Sequence, residues 1–174
     1  MAVTVEVSGG VAVIRLAQPM IDAVAGTRAA LPLLTGVDGL VLHGCPRSPH
    51  PTAHFKAQVL TAPAERRAHV RRLRALRDEL VAFPAPVVAA IGGSAFGDMA
   101  ELVMACRHRV LAAGCDIVAV TGTGVLRGRR VPADEALRTG LVDRVVEPGA
   151  VLAAAVGLAT AARVPAPLVG SGVR

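Results

Sequence analysis

The stretch Pro86-Val87-Val88-Ala89-Ala90-Ile91-Gly92-Gly93-Ser94-Ala95-Phe96-Gly97-Asp98-Met99-Ala100-Glu101-Leu102-Val103-Met104-Ala105-Cys106 decides how the chain is read. Val87 to Ile91 is a short apolar run of the kind that forms a buried strand. Gly92, Gly93 and Gly97 bend the backbone, and Asp98 to Cys106 reads as a helix. A strand that turns through glycines into a helix N-terminus presents unpaired N–H groups and a partial positive charge. Such an end can hold an anion, or an oxygen that becomes anionic during a reaction. Glycines also serve where a tight turn needs φ > 0 and nothing else. Spacing alone leaves both readings open.

Upstream of this stretch, Ala64 to Phe83 reads as a helix, with Val70, Leu73, Leu76, Leu80 and Phe83 on one side. Arg66, Arg67, Arg71, Arg74 and Arg77 fall largely on the others, a solvated face by default. Pro84 and Pro86 end that helix. Before it, Cys45 to Thr61 is a loop broken by Pro46, Pro49 and Pro51 and carrying His50 and His54. Gly39 to Gly44 is expected to be a buried strand. Further back, Val3 to Val7 and Val11 to Leu16 are strands joined by a Gly9-Gly10 hairpin, and Asp22 is expected to cap a helix over Ala23 to Leu34. Downstream, Arg109 to Ala113 and Ile117 to Val120 read as strands, followed by a Gly/Arg-rich connection over Thr121 to Arg130. Ala133 to Thr139 is a helix set between Pro132 and Gly140, and Leu141 to Val146 is a last strand. Strand and helix alternate, which places the chain in the α/β class.

The segment from Gly149 to Ala162 is a helix with no charged residue. A helix apolar on every face is buried, in its own core or against another subunit, and subunit contact is the expectation. The domain organisation read from this is a core over 1–148 and a C-terminal helix and tail over 149–174.

At 174 residues, 53% hydrophobic and 18% charged, the chain is one globular domain. No apolar run reaches the length of a membrane span. The N-terminus lacks the basic and apolar regions of a signal peptide. Cys45, Cys106 and Cys115 are odd in number and lack metal-ligand spacing, so reduced thiols in a cytoplasmic protein without a bound metal are expected. The net charge of +6 comes almost wholly from arginine, with Lys56 the single lysine. There is no Tyr or Trp to stack on bases. A phosphorylated small ligand fits better than nucleic acid.

These pieces, in order, resemble the crotonase superfamily, the enoyl-CoA hydratase/isomerase family. Val11 to Pro19 resembles the family's opening strand and the Asn-Arg-Pro after it, and Asp22-Ala23-Val24 its Asn-Ala-Leu. Leu40 to Gly44 is similar to the strand before its first oxyanion loop. Pro86 to Gly93 resembles Pro-Val-Ile-Ala-Ala-Val-Asn-Gly, and Ala133 to Val146 resembles Ala-x-Glu-Ala-x-x-x-Gly-Leu-Val-Asp. The resemblance implies a ClpP/crotonase-type ββα spiral core with a trimmed C-terminal helical region, assembled as a homo-oligomer, a trimer or a pair of trimers.

It also implies a chemistry. Members of the family bind an acyl thioester of coenzyme A and stabilise its enolate with two backbone N–H groups, whose counterparts here are those of Ala53 and Asp98. Gly44, Gly93 and Gly97 fall at positions that surround the bound thioester. Coenzyme A enters as part of the substrate, with no permanently bound cofactor. The acid/base glutamate corresponds to Glu101; a first-turn carboxylate complementing the helix dipole is its structural alternative.

Departures are equally specific. The family's Gly-Gly-Gly is Gly97-Asp98-Met99, its loop aspartate is His54, and its second glutamate is absent, with Gly122 about there. Asp98 and His54 therefore join Glu101 as candidate acid/base residues. The expected activity is an isomerase, dehydratase or decarboxylase that uses the oxyanion hole. The alternatives are an accessory crotonase-like subunit supporting a partner enzyme, or a protein that holds an acyl thioester. That thioester is carried by coenzyme A or by a carrier protein, met by Arg66, Arg67 and Arg71.

Overall fold

The computed structural model describes residues 3–17, 19–44, 62–120 and 128–162. Strands β1 (Val3–Ser8) and β2 (Val11–Leu16) form the hairpin expected from Gly9-Gly10. Both glycines have positive φ, at 57° and 81°. A two-residue turn with both φ positive matches the twist of the strands it joins. From β2 the sheet continues in parallel through β3 (Gly39–Gly44), β4 (Val87–Ile91), β5 (His108–Ala112) and β8 (Arg144–Val146). The six-stranded order is β1-β2-β3-β4-β5-β8.

Every residue of β4 is buried, as a central parallel strand covered on both faces requires. Around it Ile14, Leu40, Leu42, Leu76, Leu80, Ile91, Leu102 and Leu111 form the core. Burial of each such side chain contributes about 1.5–3 kcal/mol.

Five helices connect and cover the strands among the described residues: α1 (Met20–Ala30), α2 (Pro63–Val81), α3 (Asp98–Ala105), α4 (Ala133–Arg138) and α5 (Val151–Ala161). α2 packs between α1 and α3. A fork of hydrogen bonds from Arg28 of α1 to Glu79 of α2, 2.6–3.1 Å long, fixes the first of these contacts. The Glu79 carboxylate raises the Arg28 pKa through that bond, against the opposing effect of burial.

α1 differs from expectation at both ends. Asp22 is not its cap: Pro19 holds that position in extended conformation, and its carbonyl accepts the N–H groups of Asp22 and Ala23. Asp22 lies inside the first turn. At the other end Pro32 has no N–H to donate, so the α-helix stops at Ala30 and a 3-10 turn, Leu31–Leu33, follows.

The apolar side of α2 is also shifted. His69, Leu73, Leu76 and Leu80 are buried, whereas Val70 is 53% exposed. Steps of four, three and four residues follow the 3.6-residue turn. The expected line from Val70 to Phe83 advances mostly by three and drifts off the buried face. The arginines at 66, 67, 71, 74 and 77 are exposed, as expected.

Gly128–Pro132 is strand β7, antiparallel to β6 (Asp116–Val120), where the sequence suggested a connection. Two arginines and a terminal proline give it little apolar alternation to read. The β6–β7 ribbon is tied to the glycine segment: Ala95 N–H donates to Asp116 C=O and Val118 N–H to Ala95 C=O, both at 2.9 Å. Only Arg144–Val146 of the expected last strand is extended. Val142 and Asp143 instead donate their N–H groups to Ala136 and Arg109.

α5 packs on β3, β4 and β5 through Val151, Ala155 and Ala159. Leu152, Ala154, Val156 and Leu158 on its flanks are half-buried. The boundary expected at 148/149 falls in the 3-10 turn Pro148–Ala150.

Candidate functional site at the start of α3

The decisive stretch folds as read: β4 ends at Ile91, and α3 begins at Asp98. The turn between them depends on Gly97, whose φ of 58° and ψ of −135° suit glycine and strain any residue with a Cβ. Ser94 and Ala95 are held from the side by β6; the Ser94 hydroxyl accepts the N–H of Asp116 at 3.1 Å. The turn is thereby fixed at both ends and along one flank.

Gly44, at the C-terminal end of β3, lies beside this turn. Its carbonyl accepts the N–H of Gly92 at 3.3 Å. A Cβ added to Gly44 would come within 2.6 Å of the Met99 methyl group, so the end of β3 and the first turn of α3 nearly touch. Gly93, two residues past the end of β4, is buried. Gly44 therefore lies beside the start of α3, which carries Asp98 and, one turn on, Glu101; Gly93 and Gly97 belong to the segment that leads into it. Ala53 and His54 lie outside the described residues, as do Cys45, His50, Lys56 and Gly122.

Asp98 is the first residue of α3, where a helix N-terminus favours negative charge. Its carboxylate accepts a hydrogen bond from His69 Nε2 of α2 at 2.6 Å, a charge-assisted length. The side chains of His69 and Asp98 are 7% and 15% exposed. His69 Nδ1 is buried without a hydrogen-bond partner among the described residues. Sequence reasoning passed over His69. The available signal was its place four residues before Leu73 on the buried line.

Glu101 sits one turn into α3, its side chain 37% exposed and 3.3 Å from Arg77 of α2. A pair this exposed contributes little stability, but it orients the carboxylate toward α2. Its place in the first turn also lets it complement the helix dipole.

Neighbouring titratable groups are occupied elsewhere. His43, one residue before Gly44, accepts a hydrogen bond at Nδ1 from Arg15 at 3.1 Å. Burial, then the Arg15 charge, lowers its pKa, so it is neutral. Burial pushes the Cys106 thiol up to about 12, which removes it as a nucleophile. Asp143 is tied to β5: it accepts the N–H of Arg109 at 2.7 Å, and His108 Nδ1 lies 3.3 Å away.

No protein-family model matches the chain. Among curated proteins it is 30% identical over 145 residues to the enoyl-CoA isomerase/hydratase claC of Penicillium crustosum; the match covers 70% of this chain and 16% of that protein. It is 32% identical over 118 residues to the mitochondrial enoyl-CoA hydratase domain-containing protein 2 of Homo sapiens, covering 54% of this chain and 40% of that one. The chain thus spans less than half the length of these curated relatives. Among solved structures, the enoyl-CoA hydratase of Bacillus anthracis superposes with a TM-score of 0.78 over 92% of this chain and 76% of its own, at 22% identity. The sheet, the glycine turn and the helices on it are the crotonase fold.

Proposed function

Because the chain is a divergent member of the crotonase superfamily, the enoyl-CoA hydratase/isomerase family, we propose that it forms and stabilises the enolate of an acyl thioester. The observation that carries this reading is the Gly97 turn, which sets the N-terminus of α3, with Asp98 and Glu101 in its first turn, beside the end of β3. Ligands of parallel α/β sheets sit at the carboxyl ends of the strands.

In this reading the thioester oxygen is bound by the N–H of Asp98 and by that of Ala53, with Gly44, Gly93 and Gly97 giving the substrate close backbone approach. Donors aimed at a developing oxyanion contribute about 3 kcal/mol each to the barrier. The Glu101 carboxylate takes the α-proton: the C–H bond breaks, and its electron pair moves through the carbonyl carbon onto the oxygen. Returning that proton to another carbon is an isomerisation, which one base can perform. Loss of a β-substituent or of carbon dioxide needs the same oxyanion site. Addition of water draws on a second glutamate, and Gly122 stands at that position. The reading is therefore an isomerase, dehydratase or decarboxylase, with His54 as a further acid/base candidate. Coenzyme A arrives and leaves with the substrate.

No helix among the described residues is long and apolar enough to cross a membrane, and we place the protein in the cytoplasm. The half-buried apolar flanks of α5 suit a homo-oligomeric contact in a trimer or hexamer. The second reading is a non-catalytic accessory subunit or acyl-thioester holder. One observation favours it: an open depression on α2 lined by Pro63, Arg66, Arg67, Val70 and Arg71, a surface able to take the phosphates of coenzyme A or an acidic carrier protein.

A survey of β,γ-unsaturated acyl thioesters, read by mass and ultraviolet absorption, tests the first reading. Double-bond migration that is lost in Glu101→Gln supports it. Binding without any product, in both proteins, favours the second.

A further inference from the structure

Among the described residues, Thr27 and His69 are the only polar side chains in the core. The Thr27 hydroxyl is satisfied within its own helix by the Ala23 carbonyl. His69 is different: one ring nitrogen is committed to Asp98 at 2.6 Å, and the other is buried without a described partner. Native cores rarely leave a polar atom unpaired without a reason. All the bonding this imidazole does among the described residues is directed at one carboxylate.

That carboxylate has a strong local alternative. Asp98 is the first residue of α3, next to the backbone N–H groups of Met99 and Ala100, which have no intrahelical carbonyl to bond. Acidic side chains in a first turn are drawn to these groups. A carboxylate folded back onto them would lay negative charge over the N–H end of the helix, where a second anionic oxygen would be repelled. The bond to His69 draws one carboxylate oxygen, Oδ2, toward α2.

We infer that His69 is a positioning residue: it holds the Asp98 carboxylate against α2 and so keeps the N–H end of α3 open to an oxygen that acquires negative charge. This rests on the enolate reading proposed above. The backbone N–H of Asp98 serves substrate while its side chain is held out of the way, which is how a carboxylate is accommodated at this position.

The test is a double-mutant comparison using acetoacetyl-CoA, whose enolate has its own ultraviolet absorption, with α-proton exchange in deuterated water as a second readout. His69→Leu should lower enolate formation about tenfold or more. His69→Gln, which keeps a donor, should recover part of the loss. In the Asp98→Gly background, where the backbone N–H remains and the carboxylate is gone, the same His69→Leu change should cost less than about twofold. A loss equally large in both backgrounds overturns the inference, because His69 would then act independently of the carboxylate. If His69→Leu does not fold, Asp98→Asn decides: enolate formation should rise once the charge is removed, and a tenfold fall would make the carboxylate itself the reacting group. A wild-type protein giving no enolate signal overturns this inference together with the enolate reading. A signal without coupling between the two residues overturns this inference alone.

Discussion

His69 Nε2 lies 2.6 Å from Asp98 Oδ2, joining α2 to the first residue of α3 through two side chains that are 7% and 15% exposed. Removing one member of so buried a pair takes from the other a short, charge-assisted hydrogen bond. His69→Leu should destabilise the protein by about 3 kcal/mol. Asp98→Asn keeps an acceptor for the imidazole and should cost about 1 kcal/mol. Urea unfolding of the two variants checks the order; equal losses would show that the carboxylate does not depend on His69.

Gly97 holds φ 58° and ψ −135° at the cap of α3. Open space surrounds a Cβ built there, so the penalty of Gly97→Ala is one of backbone conformation and not of collision. It should amount to about 1–3 kcal/mol, and thioester binding should weaken with it as the first turn of α3 shifts. Calorimetric unfolding alongside acyl-CoA titration would test both parts.

Two sheet glycines differ in what a methyl group would meet. At Gly39 a Cβ lies 2.9 Å from the Ala159 Cβ and 3.1 Å from its carbonyl oxygen, so α5 must move as a unit. At Gly44 it meets the flexible end of Met99. Gly39→Ala should therefore cost about 1–3 kcal/mol and Gly44→Ala less, while Gly44→Ala should disturb ligand binding more. Denaturation and binding measured on the same pair of variants separate the two effects.

Asp143 carries a pH signature. Burial acts to raise its pKa, but the Arg109 backbone N–H, the His108 hydrogen bond and the charges of both residues outweigh burial and lower it. A carboxyl group with a depressed folded pKa contributes stability above its unfolded value, and that contribution is lost as pH falls through the folded value. Asp143→Asn should be less stable than wild type at neutral pH, and the gap should narrow below about pH 4. Because the group is partly exposed, the effect should shrink with added salt.

The central elements were legible because their signals were local. The Val87 to Ile91 run could only be a buried strand, and three glycines before Asp98 marked where it turned. The hairpin at Gly9-Gly10 and the break at Gly140 depended on positive φ, which glycine announces. What escaped depended on partners distant in sequence. β7 is a strand because β6 pairs with it, since Arg129 and Arg130 carry no strand pattern of their own. His69 is buried because Asp98, 29 residues later, faces it. Asp22 yielded the cap of α1 to Pro19, whose carbonyl accepts the N–H groups of Asp22 and Ala23. Ala53 and His54, proposed above for the thioester site, lie outside the described residues.

The most direct test of the account is α-proton exchange. Wild-type protein and Glu101→Gln are incubated with a panel of acyl-CoA thioesters in deuterated water, and mass shifts are followed. The account predicts deuterium uptake at the α-carbon by wild type and a loss of about a hundredfold or more in Glu101→Gln, as expected for a general base. Undiminished exchange in the variant would contradict the role given to Glu101, and no exchange with any thioester would contradict enolate chemistry at this site.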